Sequence, residues 1–267
     1  MNYNSLLGSK LAKYFNKKYG IITYSGTLAI EVALKSLKLK RKSKVLISSN
    51  VCYSIINTVL KLGLVPVIKT PNNGLFFTND DIDVVIDKEI IDCILLVHQF
   101  GILNNISKRK YKKLNIKIIE DVAQAWDLKD NNGMNNIGID SDIVVTSFGS
   151  TKPISYGIGG GLFFDNKKIF KEIDFCDNES REKQGIILSY AYPLCKEIKL
   201  DYLLEKANEI VNEQRLCARE YSNVLLNQKT IKYINYEQNS GNVWHRFPMW
   251  VENQKTFEKI KKFLEKS

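Results

Sequence analysis

One lysine, Lys152, stands in a loop whose composition suits amine chemistry. The segment Thr146-Ser147-Phe148-Gly149-Ser150-Thr151-Lys152-Pro153 follows an apolar stretch at 143–145, and a glycine run at 157–161 turns the chain back into a second apolar stretch. A lysine that is partly removed from water can lose its proton and attack a carbonyl carbon to form a Schiff base. Lysine is abundant in this chain, so an ordinary surface lysine is the competing interpretation. The segments that precede Lys152 must decide between the two.

Polar residues elsewhere in the chain could hold an aromatic aldehyde around this lysine. Asp121 ends an apolar run and can keep a pyridine nitrogen protonated, and Gln124 can donate to a phenolic oxygen on the same ring. Tyr53 can stack on the ring face. A phosphate could be held by backbone amides at a helix start and by a nearby hydroxyl, and the candidates are Gly26, Thr27 and Ser147. Such a set of groups describes a site for pyridoxal 5′-phosphate (PLP).

Short apolar strands alternate with helices through the first 165 residues. Strands are predicted at 21–24, 44–48, 63–68, 92–98, 116–121 and 143–145, and helices at 5–18, 25–37, 51–62 and 108–113. This alternation predicts an α/β fold with a mostly parallel sheet flanked by helices. Ligands of such sheets bind beyond the carboxyl ends of the strands. The candidate residues all follow strand ends, which favours one shared site.

The pattern changes after residue 164. A helix is expected at 167–175, and a long helical pattern runs through 200–227. Strands are expected at 231–234 and 242–251, and a closing helix at 257–264. We therefore predict a large domain over residues 1–180 and a small α+β lobe over residues 181–267.

The composition narrows the class of protein. The 267 residues carry a formal charge of +10, mostly from scattered lysines without a nucleic-acid motif, which favours a surface that attracts small anions. Five cysteines, an odd number without metal-ligand spacing, and two histidines argue against a disulfide framework and against a metal site. The N-terminus lacks signal-peptide features and no apolar run is long enough to cross a membrane, so we expect a cytoplasmic protein.

Five motifs, in order, resemble those of the DegT/DnrJ/StrS family of PLP-dependent sugar aminotransferases. That family has the aspartate-aminotransferase fold, which is PLP-dependent transferase fold type I. The matching segments are Ser25-Gly26-Thr27, Val51-Cys52-Tyr53, Val97-His98-Gln99-Phe100-Gly101, Glu120-Asp121-Val122-Ala123-Gln124-Ala125, and Ser147-Phe148 with Thr151-Lys152 and Gly159-Gly160-Gly161. Their order and spacing agree with the family across roughly residues 8 to 165.

The resemblance implies a role for each matched residue. Lys152 would carry the Schiff base and then move a proton, Asp121 would pair with the pyridinium nitrogen, and Gln124 would contact the ring hydroxyl. Tyr53 would stack on the ring, and the phosphate would be bound by Gly26, Thr27 and Ser147. The resemblance also implies a homodimer with its site at the interface. The amino donor would be glutamate and the acceptor a nucleotide-linked keto-sugar, as in polysaccharide biosynthesis.

The chain departs from the family pattern in its substrate-binding half. It is short at both ends, so a reduced small domain is expected. The family segment that reaches into the partner's site is matched only by 189–194, where Ala191 and Pro193 replace the expected Asn and Arg. Residues 242–247 resemble a small-domain strand that bears a histidine. We expect the cofactor half of the site to be complete and the substrate half to be reduced.

Other interpretations remain open for several of these residues. His98 and His245 are candidate substrate contacts, and packing is a comparable explanation for each. The glycine run precedes a strand and opens no helix, so it is not a dinucleotide fingerprint. Two alternative functions compete with the aminotransferase. One is a PLP-binding regulatory or partner subunit without turnover, and the other is a PLP enzyme for a different small substrate.

Overall fold

A seven-stranded sheet forms the centre of the computed structural model, which describes residues 6–130, 132–169, 200–228 and 231–265. The strands lie in the order β1-β7-β6-β5-β4-β2-β3. β7 is antiparallel to its neighbours β1 and β6, and the other pairs are parallel, which confirms the predicted mostly parallel sheet. The strands are β1 (Tyr19–Thr23), β2 (Lys44–Ser48), β3 (Val65–Lys69), β4 (Cys93–Val97), β5 (Lys117–Asp121), β6 (Ile143–Ser147) and β7 (Gly160–Phe164).

Helices cover both faces of the sheet. They are α1 (Leu6–Tyr14), α2 (Gly26–Ser36), α3 (Tyr53–Lys61), α4 (Asn79–Ile86) and α5 (Lys108–Lys113), with a 3-10 turn at Gln99–Gly101. Successive strand side chains point to opposite faces. Ile119 of β5 therefore packs in one cluster with Ala33 of α2 and Val59 of α3. Its neighbour Ile118 packs in another cluster with Tyr111 of α5.

The C-terminal part adds a long helix and a two-stranded sheet. It consists of α6 (Leu200–Leu225), β8 (Ile231–Tyr233), β9 (Met249–Val251) and α7 (Gln254–Leu264), with β8 and β9 antiparallel. Arg215 of α6 joins this part to the large sheet: Nη1 donates to Asp127 Oδ2 at 2.9 Å and Nε donates to the Asn242 carbonyl at 3.0 Å. Although α6 is 26 residues long, neither it nor another helix within the described ranges is both long and apolar enough to cross a membrane.

The structure corrects the strand predicted at 242–251. Only Met249–Val251 is a strand, because Trp244 has a φ of 59° and so breaks the extended backbone before it. The indole is buried with Leu75, Ile102 and Ala218 instead of lying in a sheet. The match at 189–194 and the domain boundary at 180/181 fall outside the described residues, as does most of the helix predicted at 167–175.

Candidate active site

Lys152 lies in a loop that connects the end of β6 to β7. The Lys152 amide donates to the Gly149 carbonyl at 2.9 Å, and the Phe148 amide donates to the Gly159 carbonyl at 2.9 Å, so the loop is closed on itself. The Lys152 side chain is partly buried. Within the part of the chain that the structure describes, its amine makes no hydrogen bond or ion pair.

Asp121 ends β5 and is only 6% exposed. Its Oδ1 accepts a hydrogen bond from the Ala123 amide at 2.9 Å. Burial raises the pKa of this carboxyl group, while the Ala123 amide and the positive charge of Lys152 oppose the rise. The structure thus brings the predicted lysine and aspartate into electrostatic interaction at one edge of the sheet.

Strand alternation assigns the two carboxylates of the Glu120-Asp121 pair to different faces. Asp121 shares its face of β5 with Ile119, on the side of α2 and α3. Ser147 of β6 likewise shares its face with Val145, which belongs to the same cluster. Glu120 points to the other face. Asp121 and Ser147, both predicted site residues, therefore lie on the same side of the sheet.

The start of α2 forms a close-packed seat against the end of β6. Ser25 caps the helix by accepting the Leu28 amide at 3.1 Å, and the amides of Gly26 and Thr27 have no acceptor within the helix. A Cβ atom on Gly26 would lie 2.7 Å from Ser147 Cβ, and one on Gly160 would lie 2.6 Å from the Gly26 nitrogen. Glycine is required at both positions. Free amides beside a serine hydroxyl fit a phosphate group.

Gln124 and Tyr53 are positioned in different ways. Gln124 Oε1 accepts the Phe100 amide at 2.9 Å, and its Nε2 donates to Gln99 Oε1 at 3.3 Å, so the side chain holds the turn after β4. One hydrogen of Nε2 remains for a further acceptor. Tyr53 is the first residue of α3 and its side chain is 72% exposed. Its neighbour Cys52, which sequence reasoning did not single out, interacts electrostatically with Lys152 and Asp121.

His98 is buried, and the protein itself contacts both nitrogens of its ring. The ring is 1% exposed. Its Nδ1 accepts the Asn104 amide at 3.2 Å, so Nε2 carries the hydrogen and donates to Glu120 Oε2 at 3.1 Å. Both ring nitrogens are occupied by the protein. The imidazole belongs to the network of Glu120, on the face of the sheet opposite to Asp121.

His245 is a buried histidine in the segment before β9. The residue is 8% exposed, and its Nδ1 has no hydrogen-bond partner among the described residues. Burial lowers the pKa of His245 to about 4, and the charges of Arg246 and Lys152 contribute to the same effect. Its segment is anchored by the Val243 amide, which donates to the Gly101 carbonyl at 2.8 Å. At neutral pH His245 is an uncharged imidazole near Lys152.

The fold has a counterpart among solved structures. NtdA from Bacillus subtilis, whose crystal structure contains the bound cofactor PMP, matches with a TM-score of 0.73 and 23% sequence identity, over 96% of this chain and 60% of that chain. The sequence profile of the DegT/DnrJ/EryC1/StrS aminotransferase family matches residues 2–267. The chain belongs to this family, which confirms the resemblance based on the five motifs.

Curated relatives agree with this assignment. A 3-oxo-glucose-6-phosphate:glutamate aminotransferase from Bacillus subtilis (strain 168) is 25% identical over 260 residues, which cover 91% of this chain and 56% of the relative. A GDP-perosamine synthase from Escherichia coli O157:H7 is 23% identical over 259 residues, which cover 93% of this chain and 68% of the relative. The chain thus spans a little over half of the first relative and about two thirds of the second.

Proposed function

We propose that this chain is a PLP-dependent aminotransferase that moves an amino group from glutamate to a keto-sugar. The observation that carries the proposal is the interaction of Lys152 with the buried Asp121, on the side of the sheet where the α2 N-terminus meets Ser147. An amine, an acid and a phosphate seat at one edge of the sheet are the groups that this cofactor requires. Family membership supports the same reaction class.

The residues present fit PLP. Gly26 lets the start of α2 pack directly against Ser147, so the free amides of the helix start lie beside a serine hydroxyl, as a phosphate site requires. Asp121 is a buried carboxylate that gains an ionic partner when it binds a protonated pyridine nitrogen. Gln124 would donate Nε2–H to the ring oxygen, and Tyr53 would cover one face of the ring. PLP supplies the electron sink that makes a proton on the substrate carbon labile.

Two residues would act on the substrate directly. Lys152 would bind the cofactor aldehyde through its amine and, once released by the incoming amino group, would remove and return the proton at the substrate carbon. His245 would remain neutral and would accept a hydrogen bond from a sugar hydroxyl through Nδ1, the buried atom that has no partner within the described residues. Asp121 would hold the ring nitrogen protonated throughout.

The acceptor that we place first is a nucleotide-linked keto-sugar. The formal charge of +10 suits a substrate that carries phosphates. By their names, one relative makes a GDP-linked sugar and another aminates a keto-glucose 6-phosphate, so a keto-sugar monophosphate is the second candidate. The aminotransferase that acts on a keto-glucose 6-phosphate is 25% identical to this chain and the GDP-perosamine synthase is 23% identical. Because these identities are so similar, both acceptors should be tested.

A homodimer with its site at the interface is part of the proposal. Exposed apolar side chains cluster in sequence around the site residues: Tyr24 precedes the Ser25 cap, Tyr53 starts α3, and Tyr156 and Ile158 follow Lys152. A second copy that covers them would also exclude water from the site. A PLP-binding protein without turnover remains the alternative, since the chain spans only part of the relatives it matches.

The first experiment is borohydride reduction of the protein with PLP, followed by peptide mass spectrometry. We expect a phosphopyridoxyl group on Lys152, and its loss in Lys152→Ala but not in Lys88→Ala, a matched variant at an exposed lysine. A phosphopyridoxyl group on another lysine would refute the assignment of Lys152 as the cofactor-binding lysine. The second experiment offers glutamate with each of the two acceptors. Attachment to Lys152 without amino transfer to either acceptor would favour the alternative.

A further inference from the structure

Cys52 occupies a position for which the proposed reaction has no use. It precedes α3 as its N-cap residue, with extended backbone, and its side chain is exposed. Ser54 Oγ donates a hydrogen bond to Cys52 Sγ at 3.2 Å. The thiol also interacts with the charges of Lys152 and Asp121. Cys52 is therefore part of the same cluster of groups as the proposed cofactor site.

The surroundings of Cys52 favour its thiolate form. The hydrogen bond from Ser54 lowers the pKa of the Cys52 thiol most, the positive charge of Lys152 lowers it further, and burial and Asp121 act in the opposite direction. The N-terminus of α3 adds the positive end of a helix dipole. The thiolate is the nucleophilic form of cysteine, and an exposed thiol with these neighbours is the reactive kind.

A second observation favours a binding site around Lys152, the group with which Cys52 interacts. His245, from a distant part of the chain, also interacts with Lys152, and its Nδ1 is buried without a partner among the described residues. His245 and Cys52 thus both interact with the Lys152 amine, for which the described residues provide no hydrogen-bond partner. The buried Nδ1 of His245 is likewise unpaired among the described residues, and a bound group would satisfy it.

We propose that Cys52 is a reactive thiol that lies against the bound cofactor, so that PLP covers a modification site which electrophiles and disulfides reach in the cofactor-free protein. The inference rests on the proposed function, because it requires PLP at Lys152. The start of α3 then makes two contacts with the cofactor: the Cys52 thiol, which interacts with Lys152 and Asp121, and the exposed Tyr53 ring, which would cover one face of the cofactor.

The modification is a simple substitution. The Cys52 sulfur attacks the methylene carbon of iodoacetamide, a carbon–sulfur bond forms, the carbon–iodine bond breaks and iodide leaves. The thiol proton goes to solvent. No oxidant or further reactant is needed.

The test compares alkylation of the whole protein with and without PLP, with each cysteine followed by peptide mass spectrometry. PLP at about 100 times its Kd leaves about 1% of the sites free, so labelling of Cys52 should slow by more than about tenfold. Cys217, exposed on α6, is the internal control and should label at the same rate in both samples. In Lys152→Ala the protection of Cys52 should be lost.

Two outcomes would overturn the inference in different ways. If PLP attaches to Lys152 and Cys52 labels at an unchanged rate, the inference is wrong while the proposed function stands. If PLP does not attach to Lys152, both are wrong. A spectroscopic arm is independent of labelling: Cys52→Ser should shift the absorbance of the bound cofactor, and Cys217→Ser should not. Superimposable spectra for Cys52→Ser and the unmodified protein would contradict the contact.

Discussion

Glu120 and Asp121 are consecutive residues of β5, yet their carboxylates serve opposite faces of the sheet. Glu120 accepts hydrogen bonds from Lys108 Nζ at 2.8 Å, from the Gly138 amide at 3.0 Å and from His98 Nε2 at 3.1 Å. Asp121 interacts with Lys152 on the other side. One carboxylate therefore fixes the end of the strand, and the other is left for the cofactor.

Removing the Glu120 charge should destabilise the fold. In Glu120→Gln the partly buried Lys108 ammonium loses its ionic partner, and breaking a buried pair typically costs roughly 3–5 kcal/mol of unfolding free energy. Chemical denaturation measures this change. The matched control is Glu89→Gln, which breaks the more exposed pair of Glu89 with Lys44 and should cost about 0–1 kcal/mol. Equal losses in both variants would contradict a special role for Glu120.

Ionisation of Glu120 should also make the unfolding free energy depend on pH in the acid range. Burial alone would raise the pKa of Glu120, but Lys108 and His98 outweigh it and lower the pKa from 4.5 to about 2. Because its pKa is lower in the folded protein, the Glu120 carboxylate contributes fully to the unfolding free energy above pH 4.5. This contribution is lost as the pH falls through about 2. The difference in unfolding free energy between the unmodified protein and Glu120→Gln should therefore shrink over this interval. A difference that stays constant down to pH 2 would rule out this ionisation.

His245 should titrate far below an ordinary histidine. Its pKa is lowered from 6.5 to about 4, so the imidazole is neutral at pH 7 and favours the folded state less as the pH falls from 6.5 towards 4. The chain has two histidines, so proton NMR gives two Hε1 signals, one from each imidazole ring, and His98→Asn assigns them. Lys152→Met should raise the His245 midpoint because it removes a nearby positive charge. A midpoint near 6.5 in the unmodified protein would refute the buried, unpartnered geometry.

Gly26→Ala should weaken cofactor binding. The added Cβ would lie 2.7 Å from Ser147 Cβ and so would displace the groups that hold the phosphate. A hydrogen bond to a charged group contributes roughly 1.5–3 kcal/mol, so the loss of one should raise the Kd for PLP by roughly ten- to hundredfold. An absorbance titration measures the Kd. Gly149→Ala serves as the control, because its Cβ would make only an ordinary contact of 3.5 Å with Ser147 Oγ. An unchanged affinity for PLP in Gly26→Ala would show that the phosphate does not bind at the N-terminus of α2.

Much of the sheet was predictable because its strands are short, apolar and buried. The strand at Lys44–Ser48 matches its prediction at both ends, and Asp121 and Ser147 lie on one side of the sheet by strand alternation alone. That rule could also have separated His98 from the site, since it follows Val97 and belongs to the other face. Helix α4 was missed because its first turn is polar, although the capping box of Thr78 and Asp81 marks its start.

Other features leave little trace in the sequence. The left-handed backbone of Trp244 could not be expected, because a bulky residue rarely adopts positive φ. The proximity of Cys52 to Lys152 depends on how the start of α3 approaches the loop after β6, which no local pattern encodes. The motif directed attention to the aromatic neighbour Tyr53, while the residue that interacts with Lys152 is the thiol beside it.

The position of β7 between β1 and β6 determines when the sheet can be completed during translation. Among the described strands, β1 pairs with β7 alone, with Tyr19 opposite Phe164 and Thr23 opposite Gly160. During translation, β1 cannot pair with β7 until residue 164 has left the ribosome, whereas Ser25 can cap α2 through the nearby Leu28 amide. Pairing between such distant segments is slow. The seat for the phosphate is thus completed late in folding, and a nascent chain arrested before Gly160 should hold the α3, β4 and β5 side of the site without the capacity to bind the cofactor.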